Sequence, residues 1–300
     1  MKELPLTLND FEFPRTKVNV EEIRKFASED QFMSLAVELL KEAAQITALL
    51  ACTYRLDSEG NPRKWKRNEA VVGGLMVRIS KLQMAFLDQM CQNRMEIANI
   101  ISRSLAEGIF NLIYLLKNSS DELFDDYIEY SLKTEKELLN RIRENIDNRG
   151  YELPIETRMI SSIERVFNIS CYPFEQVREK RRNPWGKSIY NRLKDIGMEN
   201  MYLVFVGLLS HSVHGNWQDL VDNHLKYQDG EFSPKISWCH AQPEPIFAAS
   251  KLSIAVNELY LDKIIEECPA KDRIKELNND VFVRTRVADE LHEQFLNQKQ

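Results

Sequence analysis

The stretch Ser210–Trp217 reads SHSVHGNW and follows the most apolar run of the chain, MYLVFVGLL from Met201 to Leu209. Two histidines and two serines after such a run concentrate groups that hydrogen-bond and exchange protons near neutral pH. On a helical wheel Ser210 and His214 share a side with Leu203 and Gly207, with His211 about 60° further round. Gly207 and Ser210 keep that side low, so a second helix or a ligand can approach His214. The segment NRMEIANIISRSLAEGIFNLIYLLKN sets Arg103 and Glu107 one turn apart, on a stripe with Phe110 and Tyr114. That stripe lies opposite the main apolar one of Ile97, Ile101, Leu105, Leu112 and Leu116, and a helix apolar on both sides is buried on both sides. A buried guanidinium or carboxylate without a partner is destabilising, so Arg103 and Glu107 must pair with each other or with the Ser210 and His214 stripe. The candidate site is therefore Arg103, Glu107, Ser210, His211 and His214.

Two kinds of role fit this set. As chemistry, Arg103 binds an anionic group, Glu107 orients it or acts as base, and His214 exchanges protons with help from Ser210 and His211. Arginine with histidine can process a phosphoester without a metal, so RNA or a nucleotide is the substrate class to test first. As architecture, the same residues lock a bundle, and a protein partner binds elsewhere: on the N-terminal arm, the loop from Asp229 to Pro245, or the C-terminal helices.

Metal and cofactor sites are not expected. His211-x-x-His214 supplies two nitrogens, whereas carboxylate di-iron bundles pair Glu-x-x-His helices, and Asp289-x-x-His292 is the nearest relative of that motif here. Gly73 and Gly74 follow no strand and precede no Gly-Lys-Ser/Thr, so they suggest a close helix crossing rather than a phosphate loop. Ser210 lacks the strand-turn-helix elbow of a serine nucleophile. Cys52, Cys91, Cys171, Cys239 and Cys268 are odd in number and form no C-x-x-C, which suits reduced and mostly buried thiols.

Two further features bear on nucleic acid. Arg286 and His292 in RVADELH satisfy the loose spacing of helical ribonucleases related to nucleotide-binding higher-eukaryote-prokaryote domains, although Val287 stands where those enzymes often carry a polar residue. Basic residues Arg63, Lys64, Lys66 and Arg67 flank Trp65, and Arg178, Lys180, Arg181, Arg182 and Lys187 flank Trp185. Such patches can hold phosphates and stack a base, or simply solvate helix ends.

The elements that must position these groups are helices. Ten glycines and ten prolines in 300 residues, with 43% hydrophobic and 29% charged content, fit an all-α fold: one large multi-helix bundle with an N-terminal arm and a C-terminal helical extension. The reading by segment is an arm over 1–18, a helical core over 19–228, and an irregular loop with C-terminal helices over 229–300. Helix breaks are expected at Gln92–Asn93, after Gly150 and at Gly215, and Trp217–Gln228 is expected to be one more helix. A net charge of −6 gives no general attraction to nucleic acid or anionic membrane. No membrane span is expected, a cytoplasmic location follows, and a homo-oligomer stays open.

The Arg103 helix and NPWGKSIYNRLKDIGMENMYLVFVGLLSHSVHG together resemble an uncharacterised bacterial helical family, the domain of unknown function five-six-seven-seven. The likeness covers about residues 70–228 and falls on Arg103, Glu107, Trp185, Tyr202, Ser210, His214 and Gly215. It implies an all-helical bacterial cytosolic protein without an established activity. A setting in stress response or phage defence is an expectation by analogy alone.

Overall fold

The computed structural model describes residues 13–53, 63–178, 184–266 and 269–299, and it is helical apart from one short hairpin. Residues 1–12 of the arm, 54–62, Lys180, Arg181, Arg182 and Cys268 lie outside the described residues. The chain divides into two compact units: 1–64, 72–116 and 200–300 form the first, while 65–71 and 117–199 form the second.

The first unit is centred on α2 (Glu29–Ala51), α10 (Pro243–Ile264) and α11 (Pro269–Lys299). A short α1 (Val20–Ile23) precedes them, opened by Asn19, whose side chain accepts from the Glu21 N–H. In α2 Phe32, Leu35, Ala36, Leu39, Leu40, Ala43, Ile46 and Leu50 are buried, the three-and-four spacing of a core face. Both C-terminal helices start with proline, at 243 and 269, where a first turn has no N–H bond to lose. They pack directly on α2.

Helices α3 (Arg67–Cys91) and α4 (Met95–Lys117) are separated by the break at Gln92–Asn93, where Asn93 takes a positive φ of 55°. From Leu105 to Leu116 α4 is buried nearly all round, as its two apolar stripes require. A Cβ on Gly108 of α4 would stand 3.6 Å from Cγ1 of Ile79 on α3, an ordinary contact. Gly74 faces open space, so it marks no close crossing. Among the described residues α3 is the one helix long and apolar enough to cross a membrane by length and composition. Its Met76, Ile79, Phe86 and Met90 are wholly buried within the protein.

A buried polar chain ties four of these helices. Gln83 Nε2 donates to Thr47 Oγ1 at 3.1 Å and to Ser253 Oγ at 2.6 Å. Thr47 Oγ1 donates to Asn257 Oδ1 at 3.0 Å, and Asn278 Nδ2 donates to the Ile254 carbonyl at 3.0 Å. Buried hydrogen bonds of this kind set helix register, because a slip strands several polar groups at once.

The second unit is a helical hairpin of α5 (Asp121–Arg149) and α6 (Pro154–Ser170), followed by α7 (Ile189–Asp195). Ser120 caps α5 by accepting from Leu123 N, and Gly150 closes it at φ 80°, a left-handed cap. Its core gathers Ile128, Leu132, Leu139, Ile142, Ile163, Phe167 and Val177.

The stretch after α7 departs from the helical wheel. Tyr202–Leu208 is π-helical and passes into α8 (Leu209–His214), which ends at Gly215 with φ 56°. After the single turn α9 (Trp217–Asp219), Leu220–His224 is π-helical again. Trp217–Gln228 is thus not one helix: it ends in β1 (Leu225–Gln228), which pairs antiparallel with β2 (Glu231–Pro234). Asp229 and Gly230 both take positive φ, 54° and 88°, the requirement of a two-residue hairpin turn that Asp-Gly meets well. Across it the Tyr227 and Phe232 rings meet at a 42° tilt, centroids 4.8 Å apart.

Candidate functional site

Helix α4 holds Arg103 and Glu107 as an ion pair with Nη1 2.5 Å from Oε2, the spacing that one helical turn provides. The Arg103 side chain is 15% exposed and that of Glu107 is 40% exposed, so the pair sits at the edge of the core with its carboxylate towards water. One turn further on, the Phe110 ring meets the Phe205 ring edge-on at 6.0 Å. That contact brings the π-helical segment against α4, so the two elements singled out by their polar stripes do meet.

They meet through aromatic rings. The Ser210 hydroxyl donates to the Val206 carbonyl of its own helix, and Nδ1 of His211 accepts from the Asn216 amide. His214 is exposed. Among the described residues no hydrogen bond or ion pair joins Arg103 or Glu107 to Ser210, His211 or His214. The structure therefore pairs two of the five residues with each other, ties two to their own segment, and leaves His214 in water.

The surroundings of MYLVFVGLL differ more sharply from the sequence reading. Val206 is buried, yet Leu203, Val204 and Leu208 are 71%, 51% and 61% exposed. So apolar a run predicts a buried helix. The π-helical geometry supplies the reason for the difference, because hydrogen bonds from i to i+5 widen the turn and rotate residues away from their 3.6-residue positions.

The second π-helical turn brings together polar residues that a 3.6-residue wheel separates, Asp219 and His224, five apart. His211 and Asn216, also five apart, meet across the left-handed Gly215 that ends α8. His224 Nε2 lies 3.3 Å from Oδ2 of the buried Asp219, and Asn223 Nδ2 donates to the other oxygen at 2.9 Å. Asn216 also caps this turn, accepting from Asp219 N at 3.4 Å. A carboxylate that orients an imidazole is a component of general acid-base sites. The sequence carried one usable sign of it, the Asn216-x-x-Asp219 cap; the pairing with His224 needs the π turn.

Arg286 and His292 are pulled apart. Arg286 pairs with Glu290 at 3.4 Å on the surface, while His292 is completely buried between Phe32 at 4.8 Å and Phe247 at 6.1 Å. One phosphodiester cannot touch both. Neither His292 ring nitrogen has a hydrogen-bond partner among the described residues. His292→Met should therefore raise unfolding free energy, by about 1 kcal/mol, since it removes two unsatisfied polar atoms and retains contact with the rings. Thermal and urea denaturation of the variant check this; a drop in stability would mean that the imidazole is satisfied by water.

Three described members of the basic patches, Arg67, Arg178 and Lys187, are paired with carboxylates inside the second unit. Arg178 grips both oxygens of the buried Glu129, at 2.7 and 2.5 Å, and these hydrogen bonds push its guanidinium above the ordinary arginine value. Arg67 pairs with Asp125, and Lys187 with Asp195 at 2.5 Å. Trp185 is buried, with the Arg192 guanidinium 4.1 Å above its ring, so its face is already occupied.

Together these elements define an all-helical protein with two π-helical turns beside its histidines, a class fixed by architecture rather than by a recognisable reaction centre. The chain belongs to the Family of unknown function (DUF5677), whose profile matches residues 69–232 and so spans Arg103, Glu107, Ser210, His211, His214, Asp219 and His224. No curated protein and no solved structure matches it.

Proposed function

We propose that this chain is an interaction protein that associates with a second copy of itself through the segment Tyr202–Trp217. The observation that carries this reading is the exposure of Leu203, Val204 and Leu208 on one short stretch, joined by the exposed Val213 and Trp217. Exposed apolar residues scattered singly need no explanation, whereas a contiguous group marks a contact surface.

Charge favours a second copy as the occupant. Two chains of net charge −6 repel, so they meet best where neither presents charge. From Asn200 to Gln218 there is no Asp, Glu, Lys or Arg. A two-fold contact sets the same patch against itself, and an uncharged apolar patch is compatible with itself. Sedimentation velocity over a range of protein concentration tests the reading. A reversible monomer–dimer shift is the expected result, and a monomer at every concentration would overturn it.

A second reading, acid-base processing of RNA or a nucleotide, is supported by the Phe110–Phe205 contact that sets Arg103 and the histidine segment on neighbouring elements. In it Arg103 released from Glu107 binds phosphate, and the water-exposed His214 exchanges protons. Cleavage of single-stranded RNA or a nucleoside triphosphate by the wild type, abolished in both Arg103→Ala and His214→Ala, is its expected result. Equal turnover in all three proteins would remove it. A role in stress or phage defence would accompany this reading.

A further inference from the structure

The loop 235–242 crosses the start of α4 and presents Cys239 there. The Cys239 N–H donates to Glu96 Oε1 at 2.8 Å, Met95 N–H donates to the Cys239 carbonyl at 3.4 Å, and the Arg94 guanidinium lies 5.6 Å from the Trp238 ring. These contacts hold the cysteine backbone. Its sulfur faces outward from them, 2.9 Å from Nζ of Lys235, 3.3 Å from Oδ1 of Asn223 and 3.8 Å from the Asp222 carbonyl. Lys235 also donates to the Asp222 carbonyl at 3.0 Å, so its ammonium is fixed from two sides.

We propose that Cys239 is a reactive thiol and a modification site, attacked by hydroperoxides and by soft carbon electrophiles, with the Lys235 ammonium stabilising the negative charge on its sulfur. The thiolate is the nucleophilic form of cysteine, and an adjacent cation favours it. As a thiol, Cys239 donates to Asn223; after losing that proton it accepts from Lys235. The contact also registers on the other partner: hydrogen bonding to Cys239 is the leading cause that holds Lys235 above the ordinary lysine value. The carboxylates of Glu96, which is buried, and Asp222 also favour the Lys235 ammonium, and their charge opposes a negative sulfur. Oε2 of Glu96 has no hydrogen-bond partner among the described residues, an unfilled acceptor on the same carboxylate that holds Cys239 N–H.

With a hydroperoxide, a sulfur lone pair attacks the distal peroxide oxygen. The S–O bond forms and the O–O bond breaks; sulfur is oxidised by two electrons and keeps the distal oxygen as sulfenic acid, while the other oxygen leaves as alkoxide, or as hydroxide from hydrogen peroxide, and takes a proton from solvent to give one alcohol or one water. With iodoacetamide, sulfur displaces iodide and the S–C bond replaces C–I. This chemistry is independent of self-association.

The other described cysteines make the test discriminating. Cys52, Cys91 and Cys171 are exposed, whereas Cys239 is half-buried. Reactivity set by access alone makes Cys239 the slowest of the four. The full chain is treated with limiting iodoacetamide, or with hydrogen peroxide followed by a sulfenic-acid trap, and each cysteine is quantified by peptide mass spectrometry. The expected result is that Cys239 labels at least about tenfold faster than the three exposed thiols. Lys235→Met should slow Cys239 alone to their rate, while Lys235→Arg, which keeps the charge, should retain most of the advantage. Equal or slower labelling of Cys239, or a rate that Lys235→Met leaves unchanged in a protein with wild-type circular dichroism, would overturn the proposal.

Discussion

Replacing Arg284 with alanine should lower the unfolding free energy by about 3–5 kcal/mol, and Glu42→Ala should do nearly the same. Arg284 on α11 sends Nη1 and Nη2 to the two oxygens of Glu42 on α2, at 2.9 and 2.6 Å, and also reaches Asp280 and the Thr16 carbonyl. Glu42 further accepts from the Thr16 N–H at 2.6 Å. The two side chains are 11% and 7% exposed, so either one left alone is a charge out of water. Burial pulls the Arg284 guanidinium down, yet the hydrogen bonds and charge of Glu42 and then Asp280 more than offset this and hold it above its ordinary value. The pair as a whole is a different matter. Taking two charges out of water offsets much of their attraction, so Arg284→Met with Glu42→Leu should recover most of the stability that either single alanine loses. Urea denaturation of the four proteins measures it, and single-variant losses under about 1 kcal/mol would show that water reaches this site.

This ion pair also shows where the sequence stops informing. A buried arginine–glutamate lock was expected on α4, where Arg103 and Glu107 are one turn apart and visibly share a stripe. The pair does form there, half in solvent. The deeply buried lock joins positions 242 residues apart in the chain, and no local spacing connects them. Local signals carried further on the helix ends: Gly150 and Gly215 end their helices in left-handed backbone, because such caps act within a few residues. The hairpin was equally local, and its Asp229-Gly230 turn was a legible sign obscured by the helical expectation for Trp217–Gln228.

The candidate site was legible as a set of residues and illegible as a geometry. Wheels drawn at 100° per residue presume the α-helix. Two π-helical turns, at Tyr202–Leu208 and Leu220–His224, break that presumption on either side of the short α-helix that carries His211 and His214. Hence His224 and Asp219 entered no face, and Leu203, Val204 and Leu208 were assigned to a core that does not cover them. Hydropathy states that a segment prefers an apolar neighbour; it does not state whether that neighbour belongs to the same chain.

If the neighbour is a second copy, inserting charge into the patch should separate the copies. Val204→Glu with Leu208→Glu is expected to weaken self-association by about a hundredfold or more, since each leucine or valine buried contributes roughly 1.5–3 kcal/mol and a two-fold contact contains every substitution twice. The carboxylates would also face one another across the axis, adding repulsion to lost burial. In the isolated chain both side chains are already more than half exposed, so the unfolding free energy of the monomer should change by no more than about 0.5 kcal/mol. That contrast distinguishes an interface from a core. Val206→Glu, one position inside the same segment but buried, should instead destabilise the fold itself. Sedimentation velocity and urea denaturation on the same preparations read both effects. A dimer that survives the double substitution would place the contact elsewhere on the chain, and a large loss of monomer stability would mean that the apolar run is covered from within.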